Sequence, residues 1–516
     1  MNRFTSAEIM TVASTTVQTV RRQRLAFALL CLTQFMVVLD ASVVNVALPS
    51  MQRDLGLSTQ ALQWVVSAYS LTFGCFLLLS GRAGDLFGRR RLLMGGLVLF
   101  SLASLAGGFA SSGIWFITTR AIQGLGATLV APTTLSLTAT IFAEGPERNR
   151  AFGVIGSISS SAFAVGALLG GLLVAGPGWR WVMFINVPIG FLAIALAPIL
   201  LQESGAQAER RQIDVPGAII ITTGLIALVA GLGEGNVLGC VSWQTIGLFV
   251  LALVLILAFV GIELRSPAPL VRFGIFRLGT LRGADLVALL VTAALVSLLF
   301  MLTLYMQRVL GYSAINTGLA FLPMALAIMA ISNLASRLAA RVGVKTLLVS
   351  GMVIVTLGLL LFTRMSATST FLGLLLPAML IAAIGLGCVF PAMVIAGTAG
   401  VSNNEQGLAS GLLNTAQQVG AAIGLAITTT IATSRTTVLL QSGASGGAAL
   451  VGGFQIALFA CACFAVAAAL IAVLVMREHE CTQGLANPSL AEQCQSVRPF
   501  AIHIPHAAVR PPEGKD

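Results

Sequence analysis

Long apolar stretches recur along the whole chain and restrict its possible folds more than any other feature. Fourteen apolar runs alternate with short polar connections, and a helix that crosses the hydrocarbon of a membrane needs roughly 20 such residues. Only 9% of the 516 residues are charged. The pattern predicts an all-α polytopic membrane protein with 14 transmembrane helices. It excludes a water-soluble fold and a β-barrel, whose strands would alternate apolar and polar residues.

The predicted spans divide the chain into membrane and polar segments. They lie near residues 25–48, 61–80, 92–111, 114–137, 151–175, 181–201, 215–233, 244–264, 283–305, 314–335, 346–364, 370–397, 407–433 and 453–476. This leaves an N-terminal segment, 1–24, and a tail, 477–516, outside the membrane. We expect the tail to be disordered.

The positions of the basic residues indicate the orientation. If the N-terminus is cytoplasmic, 23 of the 29 lysines and arginines lie in inside segments and five lie outside, with Arg120 alone within a span. Cytoplasmic loops of membrane proteins are enriched in basic residues. We therefore expect a protein of the cytoplasmic membrane with both termini in the cytoplasm. The formal net charge of +11 has the same explanation, so no nucleic-acid partner is expected.

The composition also excludes several chemistries. All three histidines lie in the tail, so they cannot form a buried proton relay or metal site. Neither lysine, Lys345 or Lys515, completes a GxxxxGK[ST] phosphate loop. We expect no cofactor, no metal and no enzymatic activity, and any energy for transport must come from a gradient.

Two motifs occur twice in the chain. GLGATLVAP from Gly124 resembles GLGCVFP from Gly385, and GALLGG from Gly166 resembles GAAIGL from Gly420. The repeat predicts two six-helix bundles, 25–201 and 283–476, separated by a linker, 202–282, that holds inserted helices seven and eight. The alternative is a chance similarity in a chain with 54 glycines.

Aligning the first pair of motifs compares the two halves residue by residue. It places Ile381 at the position of Arg120 and Ile384 at that of Gln123. The chemistry of ion coupling is therefore expected in the first half.

The loop after the second span has a distinctive pattern, GRAGDLFGRRR from Gly81. It resembles the GxxxDRxGRR loop of the major facilitator superfamily, although Leu86 stands where that family commonly has arginine. The matching residues are Gly81, Asp85, Gly88, Arg89 and Arg90. The resemblance implies a conformational switch between helices two and three. The alternative is that the arginines only fix the topology.

Further motifs resemble one branch of this superfamily, the fourteen-helix drug:proton antiporters. They are LDASVVNVALP from Leu39, RAIQGLG from Arg120, and the segment from Trp179 to Pro188. Gly166, Gly170 and Gly171 match the antiporter motif GPxxGG, with Ala167 in place of proline, and we assign them to the switch. The resemblance implies a proton-driven exporter of antibiotics or other amphipathic small molecules that works by alternating access.

Asp40 and Arg120 are the two charged residues expected deepest in the first half. A carboxylate within an apolar helix is costly to keep charged, which makes Asp40 a plausible proton carrier. We predict that the two residues pair and together couple the protein to protons. The alternative is structural, with Arg120 capping carbonyls of span one and Asp40 bonding locally.

Neutral polar residues within the apolar spans are predicted to line a substrate cavity. They are Gln34, Asn45, Tyr69, Gln123, Asn186, Asn414, Gln417 and Gln418. A cavity with few charges suits amphipathic organic molecules. The alternative is that these groups only bond one helix to another. A further acid, Asp285, lies about one turn inside span nine, where Arg282 is a possible partner.

The favoured hypothesis is a proton-coupled antiporter that exports such molecules and functions as a monomer in the lipid bilayer. Two alternatives remain open from the sequence: a proton-coupled importer of a small metabolite, and a membrane sensor that transports nothing. Asp40 and Arg120 would be superfluous in a sensor.

Overall fold

The protein forms a helical bundle in a computed structural model that describes residues 6–142, 146–203, 215–234, 242–266, 269, 273–399, 401 and 406–476. No β-strand occurs in these ranges. The α-helices are α1 (Ser6–Leu55), α2 (Thr59–Phe87), α3 (Arg89–Gly108), α4 (Gly113–Ile141), α5 (Pro146–Ala175), α6 (Arg180–Phe184), α7 (Asn186–Leu200), α8 (Val215–Glu234), α9 (Trp243–Arg265), α10 (Gly279–Arg308), α11 (Ala314–Val342), α12 (Val344–Phe362), α13 (Leu376–Thr398), α14 (Gln406–Gln441) and α15 (Gly446–Val475). A 3₁₀ helix (Phe273–Arg277) precedes α10, and a π-helical turn (Phe371–Leu375) precedes α13.

The helices agree with the predicted spans. In the described part of the chain, 12 helical segments are long and apolar enough to cross a membrane, with α6 and α7 together forming one of them. Two further helices, α2 and α8, occupy the remaining predicted positions. The prediction of an all-α, multi-pass membrane protein is confirmed.

The predicted bounds of the last two spans are too short. Helix α14 continues to Gln441 and α15 begins at Gly446, about two turns before the predicted start. The turn between them contains Gly443 at a φ of 88°. Ser445 caps α15 by accepting a hydrogen bond from the amide of Ala448. Small and polar residues at these helix ends lower the local hydropathy, although they are compatible with a helix.

The sixth predicted span is interrupted near its N-terminal end. Helix α6 ends at Phe184 and α7 begins at Asn186. Pro188 has no amide hydrogen to donate to the carbonyl of Phe184, so the helical hydrogen bonds cannot continue unbroken. The interruption sets the position of Asn186, whose side chain belongs to the site described below.

The helices pack as two halves, α1 to α7 and α10 to α15, with α8 and α9 packed against each other beside them. The halves meet where α2 lies against α14 and where α5 lies against α11. Close approach depends on glycine: Gly74 of α2 lies against Gln418 of α14, and Gly171 of α5 lies against the backbone of Ala314 in α11. Glycines of this kind allow helices in membranes to pack closely.

The internal repeat is visible in the packing of equivalent helices. Gly166 and Gly170 of α5 lie against α1 at Leu39 and Val43. Gly420 and Gly424 of α14 lie against α10 at Leu289 and Ala293 in the same way. The two-half arrangement and the alignment of Gly166 with Gly420 therefore agree with the structure.

The alignment of the other repeated motif was wrong by two residues. In the first half, Gly96 of α3 lies against the carbonyl of Gly126; in the second, Gly351 of α12 lies against that of Gly385. Gly385 is thus equivalent to Gly126 and not to Gly124. The same shift aligns Pro132 with Pro391, the proline inside each helix.

This correction changes the equivalents of the charged site. Met379 and Ala382, not Ile381 and Ile384, occupy the positions equivalent to Arg120 and Gln123. The sequence alignment had matched the first glycine of each GLG triplet. The helix contacts instead match the second glycine of the first triplet, Gly126, with the first glycine of the second triplet, Gly385. Both equivalents are apolar, so the second half still lacks a copy of this chemistry.

Candidate functional site

Asp40 lies in the C-terminal half of α1 and is the centre of a buried hydrogen-bond cluster. Its side chain is buried between the helices of the first half, α1 to α7. Oδ2 accepts a hydrogen bond from Nη1 of Arg120 at 2.6 Å. Oδ1 accepts from Nε2 of Gln123 and Nδ2 of Asn186, each at 2.8 Å. All three donors are N–H groups, so the cluster is built to bind an unprotonated carboxylate.

Arg120, on α4, makes several contacts through its guanidinium. Besides the ion pair, Nη1 donates to Oε1 of Gln123 at 2.6 Å and Nε donates to the carbonyl of Val65 at 3.1 Å. The Tyr69 ring lies 4.4 Å from Cζ, a distance suited to a cation–π contact. The backbone carbonyl that Arg120 binds, that of Val65, belongs to α2. The alternative prediction, that Arg120 caps carbonyls of span one, was therefore wrong.

Ser104 of α3 completes the cluster, and sequence reasoning missed it. Its Oγ accepts from Nδ2 of Asn186 at 3.1 Å and from Nε2 of Gln123 at 3.4 Å. Its own hydroxyl donates to the carbonyl of Met183 at 2.7 Å. A serine in an apolar helix gives no sequence signal of such a role, since serines are frequent in membrane spans.

The electrostatics of this cluster follow from its burial. Arg120 and Asp40 have side-chain exposures of 2% and 0%, and their opposite charges cancel. Charges in a medium of low dielectric constant depend strongly on their partners, because water does not screen or solvate them. Removing or neutralising either partner would therefore leave the other in an unfavourable environment.

The residues predicted to line a cavity fall into three groups. Tyr69, Gln123 and Asn186 are buried in the Asp40 cluster. On α1, Gln34 donates to Oγ of Ser159 at 3.4 Å, and Asn45 donates to the carbonyl of Ala41 at 2.8 Å. The carbonyl oxygens of these two amide side chains accept no hydrogen bond from any described residue.

The remaining predicted cavity residues lie together on α14. Asn414 is exposed and donates to the carbonyl of Ser410 at 2.9 Å. Gln417 and Gln418 are half-buried, and Gln418 packs against Gly74 at the contact between the halves. The structure therefore separates these three amides from the Asp40 cluster.

The predicted switch loop joins α2 to α3. Gly81 and Asp85 lie in the last turns of α2, and the surroundings of both residues are outside the described part of the structure. Gly88 forms the junction at a φ of 91°. A Cβ at this position would displace the flexible carboxylate end of Glu203. The positive φ of the backbone is what favours glycine here.

Glu203 binds the basic part of this loop and was also missed from the sequence. Its Oε1 accepts from the amide of Arg90 at 3.2 Å, and its Oε2 lies 3.5 Å from Nε of Arg90. Arg89 instead donates to the carbonyl of Ser136 at 3.2 Å. The signal in the sequence is a single acid just after the last apolar run of the first half.

The glycines of the GALLGG segment face two different helices. Gly166 and Gly170 contact α1 of the same half, whereas Gly171 contacts α11 of the other half. Ala167 also faces α11, where its carbonyl lies against Gly318. This segment is therefore placed between the two halves of the molecule.

Within the ranges described, no three residues among histidine, cysteine, aspartate and glutamate lie close enough together to hold a metal ion.

Comparisons with known proteins place this architecture in a family. Residues 30–425 match the model of the Major Facilitator Superfamily. The puromycin resistance protein pur8 of Streptomyces alboniger is 39% identical over 423 residues, which are 81% of this chain and 84% of that protein. The cephamycin export protein CmcT of Amycolatopsis lactamdurans is 38% identical over 80% of this chain and 85% of its own.

Solved structures show the same fold. A bacterial homologue of the human lysosomal transporter Spinster, in an inward-facing and unoccupied conformation, has a TM-score of 0.63 and 16% identity, and the match covers 93% of this chain and 99% of that one. The human organic anion transporter MFSD10 has a TM-score of 0.56 and 16% identity over 86% of this chain and 99% of its own. The chain is thus a multi-pass membrane transporter, not an enzyme, and belongs to the Major Facilitator Superfamily.

Proposed function

We propose that this protein is a proton-coupled antiporter that exports antibiotics or other amphipathic small molecules by alternating access. The observation that carries the proposal is the buried Asp40–Arg120 pair, with its side-chain exposures of 0% and 2%. The names of its relatives, a puromycin resistance protein and a cephamycin export protein, favour export over import and over a sensor role.

The coupling step follows from the geometry of the donors around Asp40. A proton that binds Asp40 neutralises the carboxylate and removes its attraction for Arg120. Because the three donors come from α4 and α7, protonation favours a small separation of these helices from α1. Loss of the proton restores the cluster. Each cycle then moves a proton through Asp40 in one direction and a substrate through the cavity in the other.

We further propose that the protein acts as a monomer in the cytoplasmic membrane with both termini in the cytoplasm. The distribution of the basic residues supports this orientation. Cysteines introduced at Ser442, in the α14–α15 turn, and at Lys345, at the start of α12, lie on opposite sides in this topology. In a Cys240→Ser background, which removes the native cysteine expected outside, an impermeant thiol reagent should label only the first in intact cells, and the reverse labelling would contradict the orientation.

Puromycin transport by purified protein in proteoliposomes tests the proposal. With an imposed pH gradient, vesicles that contain the protein should accumulate puromycin, and an ionophore that collapses the gradient should abolish the accumulation. Vesicles without protein are the control. Uptake that is unaffected by the ionophore would contradict proton coupling. If neither puromycin nor a panel of other amphipathic antibiotics moves, the export function is wrong.

A further inference from the structure

Asp285 is a second acidic residue in the membrane region, and nothing in the mechanism above uses it. It lies two turns inside α10 and is 9% exposed. Neither carboxylate oxygen accepts a hydrogen bond from any residue that the structure describes. The predicted pairing with Arg282 does not form, because Arg282 is exposed and Asp285 is buried.

The surroundings of Asp285 are set by the packing of α10 against α14. Leu289 and Ala293 lie against Gly420 and Gly424, and Ser297 accepts a hydrogen bond from Thr428, a separation of 131 residues. Asp285 lies one turn before Leu289. The same separation of 131 residues places Ala416 of α14 opposite it. The adjacent Ala284 lies beside Gly397 of α13. These neighbouring residues are small and apolar.

Among the described residues, no cation donates a hydrogen bond to Asp285. The helices that pack against α10 carry few charged or titratable residues. Together with those of α10 and of the adjoining segments, they are Arg435 on α14; Cys388 on α13; Cys461 and Cys463 on α15; Arg337 and Arg341 on α11; Arg21, Arg22, Arg24, Cys31, Asp40, Arg53 and Asp54 on α1 from residue 21 onward; Arg282, Tyr305 and Arg308 on α10; and Arg277, Glu405 and Arg477 in the connections. Arg435 lies toward the opposite end of α14. The side chains of Arg277, Glu405 and Arg477 lie outside the described residues.

The two acids therefore have opposite environments. Asp40 has three N–H donors and a cation, which suit a carboxylate. Asp285 has neither among the described residues, and an ionised carboxylate without partners is strongly disfavoured away from water. We infer that Asp285 is a second proton carrier of this transporter, and that it holds a proton in the conformation in which Asp40 holds none.

The internal repeat argues that Asp285 is not needed for packing. Helix α1 packs against α5 in the same way as α10 packs against α14. This correspondence makes Phe35 the equivalent of Asp285, and Leu290 the equivalent of Asp40. The same position in the first half is filled by an apolar side chain. The carboxyl group is thus particular to the second half, as expected for a functional group.

The step assigned to Asp285 is a simple proton transfer. When α10 and α14 separate enough to admit water, the carboxyl O–H bond breaks and the proton passes to water, which leaves a solvated carboxylate. Closure of the helices requires a proton to return. This inference rests on the proposed antiport, which supplies the helix movement, but the protonation state itself can be measured without transport.

Infrared spectroscopy of the purified protein measures that state directly. A protonated carboxyl group has a carbonyl stretch well separated from that of a carboxylate. The wild type should show this band at neutral pH. Asp285→Asn should lose it, whereas Asp40→Asn and Asp54→Asn, matched changes on α1, should retain it. Absence of the band from the wild type, or its persistence in Asp285→Asn, would overturn the inference.

Transport then tests the role of the group. With puromycin as the probe, Asp285→Asn should reduce gradient-driven accumulation at least tenfold while downhill efflux without a gradient continues, and Asp285→Glu should recover part of the loss. Continued efflux shows that the variant is folded. Unchanged gradient-driven accumulation would overturn the role. If the wild type moves no antibiotic, the antiport proposal fails, whereas the infrared result stands independently.

Discussion

The guanidinium of Arg120 and the carboxylate of Asp40 lie 2.6 Å apart, and both side chains are sealed from solvent. In the described part of the chain, the other ion pairs are much more exposed: Arg180 and Asp54, for example, have side-chain exposures of 41% and 45%. Exposed pairs contribute little to stability because water screens them. Substitution of one partner of the buried pair should therefore lower the stability of the protein much more than substitution of one partner of an exposed pair.

Neutralising Arg120 alone should be more harmful than neutralising both partners. Arg120→Gln leaves the Asp40 charge buried without its cation, and such a loss typically costs about 3 to 5 kcal/mol. The double variant Asp40→Asn/Arg120→Gln removes both charges and should recover part of the stability. Thermal unfolding in detergent measures the effect. Strictly additive losses would show that the two charges do not interact.

Loss of the Asn186 side chain should weaken the cluster with less effect than loss of a charge. Asn186→Ala removes one hydrogen bond to a charged group, an interaction of about 1.5 to 3 kcal/mol. The matched control is Asn333→Ala, because the exposed Asn333 donates only to the carbonyl of Met329. Thermal unfolding of both variants is the measurement. Equal effects would indicate that Asn186 does not support Asp40.

Apolar runs predict the spans well, because any helix that crosses hydrocarbon must be apolar over its whole length. The cluster was only partly predictable. Asp40 and Arg120 were identifiable because charges are rare in membrane spans. Their partner Ser104 was not, since it is brought to Gln123 and Asn186 by helix packing across 19 and 82 residues. The shift between repeats was also invisible, because only contacts identify equivalent glycines.

The junction glycine Gly88 should be sensitive to substitution because of its backbone conformation. Gly88→Ala strains the backbone at a φ of 91° and also displaces the carboxylate end of Glu203. Gly56→Ala is the control, since Gly56 has a φ of 62° with open space around it and should lose only the strain of about 1 to 2 kcal/mol. We expect Gly88→Ala to slow puromycin transport without altering its affinity. A large change in affinity would place this loop in the substrate path.

Close packing at Gly420 should be essential to the second half. Gly420→Ala places a Cβ against the backbone of Leu289, so α10 and α14 must separate and stability should fall. In Gly247→Ala, on the exposed face of α9, the new Cβ meets nothing. That control should be neutral or more stable by up to about 1 kcal/mol, because alanine favours helix over glycine. Similar unfolding temperatures for the two variants would contradict the close contact.

The central claim is that Asp40 carries the coupled proton, and the most direct test is the rate of puromycin accumulation in proteoliposomes under one imposed pH gradient. Asp40→Asn cannot exchange a proton, so vesicles that contain the same amount of reconstituted protein as the wild type should accumulate no puromycin above the protein-free control. Asp54→Asn makes the same change near the C-terminal end of the same helix and should accumulate puromycin at the wild-type rate. Accumulation by Asp40→Asn at the wild-type rate would contradict the claim.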